Sequence, residues 1–333
     1  MLRKFLVVLG IWALSGLAWA NCAEAVIVKL ATVAPEGSSW MTEMRKGAEE
    51  IKRRTDGRVA IKFFGGGVMG NDNSVLRKIR AGQLHGGAFT SGGLSEVCPS
   101  LQVYGLPLVF RSYTEVDYVR SRMDPLLLAD LEKAGFVSFG FAGGGFAMLM
   151  SRDPIASLED MKKKKIWIPA DDRISEVTMK YLGLSPVSLP LTDVLTGLQT
   201  GLLDVVATSP VGAIAFQWHV KTRYITDTPL AYLFATLVID KKVFNAFSPA
   251  DQQVVREVMG KIYKGFEQQN RIDDQAAAKA LTKQGMQTLT PAKAELAQWQ
   301  AKAEEVNAML EKEGAFPAPL YKQLKKLVSE CRK

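Results

Sequence analysis

Two histidines, His85 and His219, and three cysteines, Cys22, Cys98 and Cys331, supply all the imidazole and thiol chemistry of this 333-residue chain. They lie far apart and lack the C-x-x-C or H-E-x-x-H spacing that sets two ligands on one loop or helix face, so no zinc site is expected. No G-x-S-x-G elbow is present to expose a nucleophilic serine. Gly65-Gly66-Gly67-Val68-Met69-Gly70 satisfies G-x-G-x-x-G in form. No acidic residue ends a strand about 20 residues further on to hold a ribose, so these glycines read instead as a turn where backbone approaches a ligand closely. Asp171 and Asp172 fall at an expected helix start, where the helix dipole favours carboxylates. The residues therefore point to binding without catalysis, metal or cofactor.

Charge and address narrow the class further. The chain carries a formal charge of +8, but Lys162 to Lys165 is its one tight basic run and belongs to a solvated turn, so no nucleic-acid partner is expected. Arg3 and Lys4 precede the apolar run Phe5 to Leu17, and Ala18-Trp19-Ala20 follows. The run is shorter than the roughly 20 residues of a permanent span. Residues 1–25 are read as a cleaved secretory leader, cut after Ala20 or Ala25, which places the mature protein in the periplasm. Cys98 and Cys331 could pair there or stay free.

Past the leader, short apolar strands alternate with amphipathic helices. Val26 to Val33 reads as a strand, Trp40 to Thr55 as a helix, Val59 to Phe64 as a strand, Val75 to Gly82 as a short helix, and His85 to Thr90 as a third strand. That order predicts a largely parallel sheet covered by helices. A second α/β unit follows. Asp124 is expected to cap a helix with Pro125 in its first turn, Val137 to Ala142 to form a strand, and Ser157 to Asp160 a capping box. Strands are expected at Ile166 to Ile168 and Val205 to Thr208, with helices at Ser175 to Leu182 and Asp193 to Thr200. From Ser248 the chain turns helical, and Asp251 to Lys283 is long enough to run along both units. The chain has no flexible linker or tandem repeat, so two lobes joined by strand crossings are expected.

Three segments carry a family resemblance. Trp40 to Leu108 holds a helix, then Gly70, then Arg80-Ala81-Gly82-Gln83-Leu84, then Leu106-Pro107-Leu108-Val109-Phe110. Lys165-Ile166-Trp167-Ile168-Pro169 follows Leu158-Glu159-Asp160-Met161. Leu182-Gly183-Leu184-Ser185-Pro186-Val187 precedes Asp193-Val194-Leu195-Thr196-Gly197-Leu198-Gln199-Thr200-Gly201-Leu202-Leu203-Asp204. In this order they resemble the substrate-binding subunits of TRAP transporters, the DctP type, across nearly the whole mature chain. The resemblance implies an α/β, two-lobed Venus-flytrap fold of the periplasmic-binding-protein kind, with a long helix spanning both lobes. It also implies a receptor that captures a small-molecule ligand and delivers it to small and large integral membrane subunits, with no chemistry on the ligand; the receptor itself is expected to be a monomer.

Two departures bear on the ligand. Where the family's arginine pairs with a ligand carboxylate this chain has Trp167, and where a second arginine often follows a Gly-Phe pair it has Ala147 after Gly145-Phe146. A buried carboxylate without its cation is costly. The expected ligand is therefore neutral or hydrophobic, aromatic included, with the Trp167 indole stacking on it and donating one hydrogen bond. Asp172 also disfavours an anion. Phe64, Phe146, Trp218 and Tyr232 are expected to add aromatic walls, and strand-end loops to add Glu36, Ser38, Gly66, Ser91, Gly92, Thr208, Ser209 and Pro210. One rival is an organic acid held by a relocated arginine, with Arg173 nearest in sequence. The other is a secreted enzyme on the same scaffold. Residues 26–147 plus 234–275 are assigned to the first lobe, and 148–233 plus 276–333 to the second.

Overall fold

The computed structural model describes residues 25–170 and 172–333, so the leader expected over residues 1–25 lies, apart from Ala25, outside the described residues. The chain begins β1 (Val26–Ala31), α1 (Ser39–Arg54), β2 (Val59–Phe64), α2 (Asp72–Arg80) and β3 (Gly86–Thr90). β1 pairs in parallel with both β2 and β3, as the alternating pattern predicts. In α1 the buried Met41, Met44, Ala48 and Ile51 recur every three or four residues and form the stripe that covers the sheet. Ser38 caps its first turn, and Lys52 to Arg54 sit at the end where the helix dipole favours cations.

The middle of the chain runs α3 (Tyr113–Lys133), β4 (Phe136–Ser138), β5 (Ala142–Ser151), α4 (Leu158–Met161), β6 (Trp167–Pro169), α5 (Arg173–Tyr181), β7 (Val187–Leu189), α6 (Val194–Thr200), β8 (Val205–Thr208), α7 (Pro210–Ala215), β9 (Tyr224–Thr226) and β10 (Ala231–Asp240). It ends in α8 (Lys241–Asn245), α9 (Pro249–Lys283), β11 (Gln287–Leu289), α10 (Lys293–Lys312) and α11 (Ala318–Cys331). The expected helix start at Asp124 is corrected. Ser112 caps α3, which continues through Pro125. Asp124 cannot cap because its carboxylate accepts from the Tyr104 hydroxyl at 2.8 Å and from Arg120. The capping box at Ser157 to Asp160 forms as expected, with both reciprocal hydrogen bonds present.

β5 and β10 join the two lobes and make the sheet mixed rather than largely parallel. Ala142 to Ala147 of β5 run antiparallel to β10, while Met148 to Ser151 pair with β8. β10 pairs antiparallel with β3 and β4 in the first lobe. The sheet order is β11-β9-β5-β10-β3-β1-β2, with β6 and β7 forming a separate parallel pair. The register of β5 against β10 shifts between Leu233 and Phe234, opposite Gly143 to Gly145.

Two helices also cross between the lobes. α9 has 35 residues, about 52 Å at the usual rise. Its Val255, Val258 and Phe266 pack with β1, β2 and α1, whereas Leu281 packs with Trp218 and Met150. α10 runs from Trp299, among Leu149 and Met161, to Val306 and Leu310, among Val116 and Val119. The assignment of 276–333 wholly to the second lobe is corrected by this packing. The apolar stripe Tyr321, Leu324, Leu327 and Val328 of α11 is buried against the first lobe, where α3 offers the matching stripe Val116, Val119, Met123 and Leu127. Cys98 and Cys331 are both free thiols.

Candidate functional site

Between the lobes lies a cavity of about 780 Å³, within the range that encloses small ligands. The first lobe contributes Thr32 to Pro35 and Ser38 to Trp40 beyond β1, the start of α2 at Asn71 to Asn73, and Thr90 to Gly93 at the end of β3. The second contributes β6 itself with Ala170 and Asp172 beyond it, Pro190 to Thr192 after β7, and Thr208 and Ser209 at the end of β8. These are strand ends, where open α/β sheets leave backbone free to meet a ligand. The floor is Gly143, Gly144 and Ala147 of β5 with Tyr232 to Ala235 of β10.

Of the residues expected at the site, Ser38, Ser91, Gly92, Ala147, Trp167, Asp172, Thr208, Ser209, Trp218 and Tyr232 line this cavity. The others do not. Phe146 faces away from the side Ala147 shows to the cavity, as strand alternation requires, and packs on Tyr113 and Tyr232 at ring distances of 5.0 and 5.7 Å. The Phe64 ring lies under Lys62 Nζ, 5.2 Å away. Gly66 donates its N–H to Ala34 O at 2.9 Å and so shapes the loop from within. Exposed Glu36 pairs with Arg45 at 2.6 Å. Pro210 is buried as the first residue of α7. Exposed Arg173 points to Glu313, 3.0 Å distant.

Trp167 is buried, with its ring edge-on to Trp218 at 5.0 Å. Its Nε1–H donates to Leu189 O at 3.0 Å, across the β6–β7 pair. The indole therefore offers the cavity a ring, while the donor expected for the ligand is committed to the protein. The indole N–H of Trp299, also on the cavity wall, has no partner among the described residues.

The electrostatics are set by carboxylates. Asp72 is the first residue of α2 and accepts from Thr90 Oγ1 at 3.2 Å. A Cβ on Gly93 would fall 1.8 Å from Asp72 Oδ2, so only glycine fits beside it. Burial raises the Asp72 carboxyl to about 6 against the relief given by its Thr90 hydrogen bonds. Asp172 caps α5, accepting from Ser175 N at 3.2 Å and Ser175 Oγ at 2.7 Å, and burial raises its pKa as well. Sequence reading missed Asp72, because an acid at a helix start looks like any capping residue.

Among the described residues lining the cavity there is no arginine, and the cation present is Lys302, 3.2 Å from Glu305 and set over the Tyr181 ring. Arg120 reaches Tyr232 from beneath the floor, but its donors are committed. They go to Tyr232 Oη at 2.9 Å, Phe141 O at 2.9 Å, Asp124 at 3.0 Å and Glu267. The site can thus enclose an apolar body and accept hydrogen bonds or positive charge, and it lacks the guanidinium fork that holds a carboxylate.

Residues 30–313 match the family model for bacterial extracellular solute-binding protein, family 7, also called DctP. The C4-dicarboxylate-binding periplasmic protein DctP of Rhodobacter capsulatus is 25% identical over 69% of this chain and 69% of its own length. A TRAP periplasmic solute-binding protein of Xanthobacter autotrophicus, solved with β-D-galacturonate, is 24% identical and shares the fold with a TM-score of 0.81 over 92% of this chain and 99% of that one. One from Desulfovibrio salexigens, solved with orotic acid, is 17% identical with a TM-score of 0.82, covering 92% of this chain and 99% of that one.

Proposed function

The chain belongs to family 7 of the bacterial extracellular solute-binding proteins, the DctP family of TRAP transporters, and from the lining of its cavity we propose that it captures a small, largely apolar ligand carrying no negative charge. It is a receptor, and its partners are the TRAP membrane subunits. We assign residues 1–25 to a secretory leader and the cavity-lining residues named above to ligand contact.

One observation carries the ligand reading: the described lining residues include the half-buried carboxylates Asp72 and Asp172 and no arginine. The relatives solved with galacturonate and orotic acid bind acids. An acid entering this cavity would meet two half-buried carboxylates, with Arg173 turned to Glu313 and Lys302 turned to Glu305. Like charges in a low-dielectric cleft repel strongly.

Thermal unfolding with a ligand panel tests this. Galacturonate, orotate and succinate should leave the melting midpoint unchanged, while neutral aromatic and aliphatic compounds should include stabilisers. A ligand at a hundredfold excess over its Kd adds about 2.7 kcal/mol. Stabilisation by simple carboxylates that vanishes in Arg173→Ala or Lys302→Ala would show that the acid-binding alternative is right.

A further inference from the structure

The glycine-rich loop Gly65 to Gly70 lies off the cavity wall, yet it meets the second lobe. Hydrogen bonds from Gly66 N to Ala34 O at 2.9 Å and from Gly67 N to Thr32 O at 3.0 Å pin it to the segment that follows β1, and Gly70 N closes it onto Gly67 O at 2.8 Å. Gly66 and Gly67 both take positive φ, at 63° and 74°, a backbone that most side chains strain. The loop is therefore a fixed part of the first lobe.

Facing it is Thr192 of the second lobe, in the single turn Leu191–Asp193 after β7. A Cβ on Gly67 would fall 2.5 Å from Thr192 Cγ2, an overlap. The Thr192 hydroxyl donates to Asp193 Oδ1 at 3.1 Å, and a β-branched side chain so held has little freedom to turn its methyl aside. A Cβ on Gly66, by contrast, would meet nothing within 4 Å. Two neighbouring glycines of like backbone thus differ in what lies opposite. Val33 Cγ1 is 3.9 Å from the same point on Gly67, and Val33 and Thr192 both line the cavity, so this contact stands at its rim. The lobes meet again at Gly92, where a Cβ would lie 3.8 Å from Asp172 Cβ without overlap.

We propose that Gly67 is the closing stop of the clamp: the Thr192 methyl seats there on bare backbone, and the absence of a side chain at this position lets the lobes come together far enough to seal the rim beside Val33. This goes beyond the ligand reading and holds whatever the ligand's charge. A methyl against peptide backbone contributes dispersion alone, which is small for so few atoms, so the seat limits closure without holding the lobes shut. An added Cβ would act as a wedge, because overlap at a packed contact is relieved by moving what carries it. Here that is the second lobe.

The Gly92 contact reports closure independently. With Gly92→Cys and Asp172→Cys in the mature protein, a Cβ pair 3.8 Å apart is within disulfide reach. The rate at which oxidised glutathione forms that bond, read by peptide mass spectrometry, follows rim closure with no ligand added. Adding Gly67→Ala should slow the bond about tenfold or more, the scale of an overpacked contact. Gly66→Ala, which carries the same left-handed strain, should leave the rate unchanged, and Thr192→Ala should restore it in the Gly67→Ala background. Circular dichroism establishes that each variant is folded, and Gly67→Asn replaces a Gly67→Ala that is not, because asparagine tolerates left-handed backbone. An unchanged rate in Gly67→Ala would overturn the stop. Equal slowing by Gly66→Ala would overturn it too, by tracing the effect to strain within the loop, and so would slowing that Thr192→Ala does not relieve. A reporter pair that never bonds would show that the rims do not meet in solution, which sinks the proposal and leaves the ligand reading untouched.

Discussion

Two aromatic clusters flank the cavity and are fixed by different means. Tyr232 and Phe234 of the floor meet Tyr104 and Phe141 behind it at ring distances of 5.4 to 6.4 Å. Arg120 ties this cluster down by bonding Tyr232 Oη, Asp124, Glu267 and the Phe141 carbonyl. Across the cavity, Trp167, Trp218 and Phe216 meet edge-on or tilted at 5.0 and 5.5 Å, and Trp167 is tethered by its Nε1–H to Leu189 O. The same residue types thus serve as a locked floor on one side and as a wall held mainly by packing on the other. What separates them is whether a buried charge network stands behind the rings.

The largest expected effect tests the floor. Arg120→Met leaves Asp124 without a cation, although Glu267 keeps Arg271 at 2.7 Å, and should cost about 3 kcal/mol or more in urea unfolding. Trp218→Ala removes the centre of the wall and should cost about 3 kcal/mol, mostly as a cavity. A loss well above that of Arg120→Met would break the comparison. Gly93→Ala drives a methyl into Asp72 and should cost about 2 kcal/mol by overpacking, together with a fall in ligand affinity. Trp167→Phe keeps the ring and loses the tether, so about 1 kcal/mol is expected from the same unfolding curves.

A further effect is a slope with pH. Burial raises the Asp72 carboxyl from 3.8 to about 6, so the folded state binds its proton more tightly than the unfolded chain does. Stability from this group therefore falls as pH rises through that window. Melting midpoints recorded from pH 4 to about pH 7 should flatten in Asp72→Asn, and an unchanged slope would show that Asp72 is not desolvated.

Much of the first lobe was legible in the sequence because each local signal agreed with the tertiary result. The stripe in α1, the strand at Val59 to Phe64 and the Ser248 start of α9 all emerge where their patterns lie. The crossing strands were less legible. β5 contains Gly143 to Gly145, which strands usually avoid, and the long strand at Ala231 to Asp240 was not anticipated. Pro125 misled because proline favours a helix's first turn, whereas here Asp124 has other partners and α3 passes straight through. At the site, Trp167 and Asp172 could be placed from the pattern, but Asp72 could not. Its meaning depends on Gly93 lying against it, a contact made only after β3 pairs into the sheet.

The irregular register at Leu233 and Phe234 has a mechanical consequence. Opposite it stand three glycines, and Asn270 of α9 donates to the Gly143 carbonyl at 2.6 Å. The ladder is already interrupted at the point where the lobes meet, so flexing the crossing there forfeits few further strand hydrogen bonds. The unbroken α9 beside it resists stretch. The junction thus acts as a leaf spring backed by a strut, compliant in bending and stiff in extension, so that the work of releasing cargo falls chiefly on cleft contacts.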